Sequence, residues 1–191
     1  MKSKYTFLLL FFSCICFSQK NQGIITLIDG TTISGQVKVT KNGFKYKESE
    51  ESEAVKYDFT KAKEAEITDK KGVVTKFEFI VLKEGKEPDL LQVVIDGYLR
   101  LYTDDQIMFS GPTGGGMMVT NVTYYVKRKN DVVAQYYKAV SNLPKIGFKK
   151  VVESYFTDCP QIQQKFEAKE FRPSDFVEIV KFYNTNCAPK P

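Results

Sequence analysis

The chain reads as an α+β protein: an antiparallel β meander, open or curled into a barrel-like sheet, followed by three short helices pinned by a disulfide. Three observations predict this. From about residue 23 to 140, short runs alternate apolar and polar residues with the period of two that a half-buried strand requires, and turn pairs such as Asp-Gly separate them. Beyond residue 144 the period lengthens to that of an amphipathic helix. Two cysteines, Cys159 and Cys187, bracket most of that last part.

Residues 1 to 18, MKSKYTFLLLFFSCICFS, place a basic head (Lys2, Lys4) before an apolar run from about Tyr5 to Phe17, with small residues ahead of a polar chain. That is the layout of a secretory signal peptide, cleaved after Ser18. Lipidation of Cys14 or Cys16 is the alternative, but neither stands in a Leu-Ala-Gly-Cys type box. No later apolar run approaches the roughly 20 residues of a membrane span. The mature chain is therefore expected without a transmembrane segment, in the periplasm or cell envelope, with a lipid-anchored form as the alternative.

Residues 19–143 form the β region. GIITLIDGTTISGQVKV holds two β-rich runs around Asp29-Gly30, and LQVVIDGYLRLY repeats the device at Asp96-Gly97, since a tight primed turn needs positive φ at its centre. FKYK, AVKYDF, EAEIT and VVTKFEFIVL are further strands, punctuated by Asn42-Gly43 and Lys71-Gly72. YTDDQ reads as a turn. TYYVKRKNDVVAQYYK reads as a hairpin with a two-residue tip at Asn130-Asp131, which sets Tyr125 opposite Tyr136 on one face and Tyr124 opposite Tyr137 on the other. Val126 and Val133 join the second set and mark it as the core face.

Residues 144–191 form a helical segment packed as one unit with the sheet. Phe148, Val151, Val152, Tyr155 and Phe156 share one stripe; Ile162 and Phe166 share a second, opened by Pro160 at a favoured first-turn position. Phe176, Ile179, Val180 and Tyr183 make the third, with Ser174 or Asp175 as cap and Glu178 completing a box. A short EFRPS loop makes the last two helices antiparallel neighbours, so Cys159 at the start of one meets Cys187 at the end of the other. A structural disulfide is the expectation and free thiols the alternative; no C-x-x-C spacing supports a redox couple.

Three stretches, DGTTISGQVKV, VVIDGYLRLY and YFTDCP with IVKFYNTNC, resemble an uncharacterised family of small exported proteins of Gram-negative bacteria. The resemblance implies the same two-part layout and export, and no activity.

Function is bounded mostly by exclusion. The 191 residues contain no histidine, which removes imidazole-activated nucleophiles and His-ligated zinc. The 28 basic residues, less two lost with the signal peptide, leave 26 against 23 acidic, a net of +3, interspersed in a way that excludes nucleic acid as partner. In SGPTGGGMMVTN the glycines have phosphate-loop spacing, yet Met117 and Met118 replace the lysine and hydroxyl that bind phosphate and magnesium. These methionines are read as a contact loop for an apolar partner, against a plain connecting loop. Asp104 and Asp105 are the one tight acidic pair beside a strand end, and on extended chain they point to opposite sides. Tyr125, Lys127, Tyr136 and Lys138 form the candidate ligand face for a glycan or peptide, against simple cross-strand packing. No cofactor, metal site or catalytic residue is expected. The resulting reading is a non-enzymatic binding or envelope-support module, partnered by an envelope protein or glycan; the alternative is a carboxylate-dependent periplasmic hydrolase.

Overall fold

A computed structural model of the chain describes residues 21–109, 118–140 and 148–189. Ten strands come first: β1 (Gln22–Leu27), β2 (Thr32–Thr40), β3 (Gly43–Lys47), β4 (Val55–Tyr57), β5 (Ala62–Thr68), β6 (Val74–Ile80), β7 (Asp89–Ile95), β8 (Leu99–Phe109), β9 (Met118–Arg128) and β10 (Gln135–Val140). Three helices follow, α1 (Phe148–Tyr155), α2 (Pro160–Glu167) and α3 (Phe176–Asn186). The helical part is small, and α1 and α2 are shorter than the stretches whose periodicity predicts them. The proposed signal peptide, Met117 and the rest of the glycine-rich segment lie outside the described residues.

All pairings are antiparallel in one sheet of order β10-β9-β8-β7-β6-β5-β1-β2-β3-β4. The meander carries one displacement, β1 lying between β2 and β5. Four ladder steps separate β4 from β5, about 19 Å in a flat sheet. Yet residues 58–61 alone connect them, turned back on themselves where the Asp58 carbonyl accepts from Lys61 N (3.0 Å) and Ala62 N (2.9 Å). The first five strands must therefore curl. No ladder joins β4 to β5, so the sheet stays open, with β4 and β10 as its edges. Inside the curl lie Ile25, Val37, Phe44, Ala62, Ala65 and Ile67, with Phe77, Phe79 and Leu90 of β6 and β7 against them.

The later strands bend towards their other face. Ile80, Leu91, Tyr102 and Ala134 make a second small core, and Ala134 N donates to the Val81 carbonyl at 2.9 Å across the bend. β6 and β7 are thus covered on both sides, Phe77 and Phe79 by the first core and Ile80 by the second. This explains why FEFIVL is an almost unbroken apolar run rather than a clean alternation. On the outer face of β8–β10 the three helices bury Val152, Phe156, Ile162, Ile179, Val180 and Tyr183 against Leu99, Leu101, Val126 and Tyr137.

Several local devices hold these layers. Cys159 and Cys187 are bonded, their Cα atoms 5.6 Å apart, tying the start of α2 to the end of α3. Arg128 at the end of β9 donates to the Tyr155 carbonyl, to Asp158 (2.8 Å) and to the Tyr183 hydroxyl (3.1 Å), with its guanidinium 4.0 Å from the Tyr155 ring centre. Working against the burial that would discharge it, the Tyr183 hydroxyl and Asp158 hold this guanidinium firmly protonated. Asp175 stands at the N-cap of α3, but its carboxylate accepts from Arg172 N (2.9 Å) and the Ser174 hydroxyl (2.9 Å), so the expected box with Glu178 gives way to a turn bond.

The Asp96-Gly97 expectation needs correcting in the same way. Gly30 has φ +87° in the β1–β2 turn, as predicted, whereas Gly97 is absent from the positive-φ residues among those described. Its reason is closeness. A Cβ on Gly97 would stand 2.6 Å from Asn184 Nδ2, because the Asn184 side chain docks on the backbone of Leu99, donating to its carbonyl and accepting from its amide, each at 2.8 Å. The glycine marks where α3 touches β8.

Candidate binding face

Register decides which tyrosines meet. Tyr125 of β9 and Tyr136 of β10 are partners, their rings 6.3 Å apart and nearly perpendicular. The expected Tyr124–Tyr137 pair does not form: the register slips between Tyr136 and Lys138, Tyr137 bulges, and Lys138 takes the place opposite Tyr124. Nor is Asn130-Asp131 a two-residue tip. Residues 129–134 form a longer loop, closed where Asp131 Oδ2 accepts from Arg128 N at 3.0 Å. Most of the expected core face nevertheless holds, with Val126 and Tyr137 fully buried beneath the helices and Tyr124 tilted against Phe176 at 4.4 Å, whereas Val133 lies in the loop outside this core.

On the opposite face Tyr125 leans on the second core, and Tyr136 keeps 45% of its surface exposed. Lys127, two residues along from Tyr125, shares the face by alternation and is opposite Arg100. Lys138 is placed by its backbone register alone, as its side chain lies outside the described residues. Met118 opens β9 opposite Phe109, and Met117 is beyond the description.

Asp104 and Asp105 stand inside β8, paired with Thr123 and Val122, so the expected turn at YTDDQ is replaced by strand. A long hairpin satisfies these backbone groups across eleven consecutive pairs, and two aspartates cost such a ladder little. Alternation puts Asp104 on the face of Tyr102 and Tyr125. There it meets a carboxylate no local signal could have found: Asp89, fifteen residues away in sequence and brought alongside by the β7–β8 pairing. Loss of water and the neighbouring Asp104 both push Asp89 above the ordinary carboxylate value. Burial, and then the charges of Asp104 and Asp89, push the Tyr125 hydroxyl up, keeping it neutral.

The other end of this curled face is ionic. Glu78, 7% exposed, accepts from Arg100 Nη1 (2.8 Å) and the Tyr102 hydroxyl (3.0 Å); Arg100 also binds Asp96 (2.6 Å), and Lys76 bridges Glu64 (3.1 Å) and Asp96 (3.8 Å). Burial and Glu78 hold the Tyr102 hydroxyl far above its usual range, so it stays protonated and donates to Glu78 while accepting from Arg100. Each of these charges has its partner within the network.

A separate cavity of about 340 Å³ opens at the rim of the N-terminal curl, lined by the β2–β3 turn (Lys41, Asn42), the β4–β5 turn (Asp58, Phe59) and the approach to β7 (Glu87, Pro88, Asp89) over Phe79 and Leu90. Among the described residues no three His, Cys, Asp or Glu side chains group as metal ligands, and no helix is long and apolar enough to cross a membrane. The comparisons with protein-family models, curated proteins and solved structures found no match to this chain.

Proposed function

We propose that the chain is a non-enzymatic binding module of the periplasm or cell envelope, exported by residues 1 to 18 and belonging with the small Gram-negative exported proteins that its turn motifs resemble. The observation that carries this reading is the Tyr125–Tyr136 pair. One ring is anchored in a core and the other half-open, flanked by Lys127 and by Asp104 and Asp89. A rigid aromatic edge with acceptors and donors of both signs suits a glycan or a peptide of an envelope protein. The disulfide is compatible with an oxidising compartment.

The hydrolase alternative draws on Asp58, Glu87 and Asp89 around one cavity. It is the weaker reading, because Asp58 spends its Oδ1 on the Thr60 amide (3.0 Å) and hydroxyl (2.5 Å) as a turn acceptor, which holds its carboxyl low and leaves it a poor base. The decisive experiment is titration of the mature protein with envelope glycan fragments and envelope peptides, followed through the aromatic NMR signals of Tyr125, whose ring lies 6.3 Å from that of Tyr136. A saturable shift that Tyr136→Ala weakens about tenfold, with the unfolding midpoint unchanged, is expected from an exposed aromatic contact. Saturation that Tyr136→Ala leaves intact, or none with either ligand class, would remove this face as the site.

A further inference from the structure

The register of the N-terminal strands gathers lysines that the sequence scatters. In KVTKNGFKYKESEESEAVKY basic residues are interspersed with acidic and polar ones, yet Lys38 of β2 is paired with Lys45 of β3, and Lys45 with Lys56 of β4. Their neighbours Val37, Phe44 and Tyr57 turn into the core of the curl, so the three lysines share its outer face, and all are exposed. Strands lie about 4.8 Å apart, which makes the row about 10 Å long. No ion pair among the described residues reaches any of the three. Like charges directly opposite one another destabilise a sheet. Beyond β1 the same outer face avoids this, with Lys76 opposite Glu66 and bonded to Glu64 at 3.1 Å. Protection of a free edge explains Lys56, since β4 ends the sheet, but not Lys38 and Lys45, whose strands are paired on both sides. The row is a repulsion built into the fold, and a bound anion relieves it.

We infer that this row binds an anionic polysaccharide, a chain with an acidic group on successive sugars, laid across β2, β3 and β4. It lies on the other curl from the tyrosine pair and does not rest on that reading. Exposed ammonium groups in line complement a guest whose anions also follow one another in line. Other polyanions match the surface less well. An anionic bilayer is a plane, and it would also meet Glu66 on the outer face and Glu48, Glu50, Glu51 and Glu53 in the β3–β4 loop, which a chain crossing the strands can pass by. Single-stranded nucleic acid is held by bases stacked on aromatic rings, but Phe44, Tyr46 and Tyr57 of these strands pack on the inner face. An extended acidic peptide anchors by adding a strand along a free edge, whereas the row runs across the strands.

The test is titration of the mature, oxidised protein at low salt with polygalacturonate, with dextran as the neutral control and phosphatidylglycerol vesicles, poly-dT and polyglutamate as rival polyanions. Polygalacturonate should bind saturably and more tightly than its three rivals, dextran should not bind, and added salt should weaken the complex. Lys45→Gln should weaken binding by about threefold to tenfold, and the combination of Lys38→Gln, Lys45→Gln and Lys56→Gln should abolish it. A charge-matched combination at exposed positions elsewhere, Lys129→Gln, Lys169→Gln and Lys181→Gln, should bind as the parent does. Lys45→Gln should also raise the unfolding midpoint at low salt by relieving the repulsion, so that weakened binding cannot be mistaken for lost structure. Tyr136→Ala should leave polygalacturonate binding unchanged. Tighter binding to vesicles, poly-dT or polyglutamate, equal weakening by the two triple combinations, a lowered midpoint for Lys45→Gln, a loss with Tyr136→Ala, or no saturable binding would overturn the inference.

Discussion

At the scale of single residues, two positions carry more than their types suggest. Gly97 has no room for a side chain because Asn184 occupies it, so Gly97→Ala must push the Asn184 amide off the Leu99 backbone. Overpacking of this kind costs about 1–3 kcal/mol. Denaturant midpoints for Gly97→Ala, Asn184→Ala and the double variant should show strong non-additivity, the second change adding little once the first has broken the contact. Additive losses would mean that Gly97 is kept for its backbone instead. Asp89 carries a pH dependence of unusual sign. Its folded pKa is raised, so ionising it costs stability; the cost is fully present above the folded pKa and disappears below the unfolded value near 3.8. Asp89→Asn should therefore raise the unfolding midpoint at pH 7 and lose that advantage near pH 3. Equal midpoints at both pH values would show that neither burial nor Asp104 presses on its carboxylate. Neither position was legible locally: Asp96-Gly97 looks like any turn pair, and Asp89 meets Asp104 only through strand pairing.

At the scale of elements, the helices and their staple were the most legible part. Apolar stripes of period 3.6 and a short helix–helix loop suffice to bring Cys159 and Cys187 together, and they are bonded. With 28 residues of separation, the chain-entropy effect predicts that Cys159→Ser with Cys187→Ser loses about 2–4 kcal/mol. Strand content by circular dichroism should be unchanged, since the bond joins helix to helix and leaves the ladders alone. A double variant as stable as the parent would mean that the helix pair is held by its core alone. The third hairpin was half legible. Its Tyr125–Tyr136 pairing is met although the two-residue tip from which it was read gives way to a longer loop, and the Tyr137 bulge was not foreseen, because Asp131 closes on Arg128 and Ala134 is drawn to the Val81 carbonyl. Arg128 itself, the link between β9 and two helices, sits in KRKND with nothing to distinguish it from a solvated charge.

At the scale of the whole molecule, one sheet supports cores on both sides, and β6 and β7 belong to both. Destabilising either half should therefore be felt by the other. Ile25→Ala in the N-terminal curl and Ile179→Ala under the helices each remove a fully buried side chain and should cost about 2–5 kcal/mol. Hydrogen exchange of β6 should accelerate in both variants, and far-UV and near-UV transitions should coincide. Protection of β6 lost in one variant alone, or two separated transitions, would show that the curls fold independently.

The sequence by itself determined the alternation of the strands, most turn positions, the helical stripes, the disulfide pair and the absence of imidazole chemistry, because each rests on residues within a few positions of one another or on simple composition. Only the tertiary structure decided that β1 lies between β2 and β5, that the sheet curls to opposite sides along its length, and that Asp89 joins Asp104 while Asp58, Glu87 and Phe79 share a cavity. The physical reason is range. Backbone periodicity and turn chemistry act over one or two turns of chain, whereas strand order is chosen by which apolar faces can be buried together across tens of residues, and the groups that end up side by side are a consequence of that choice.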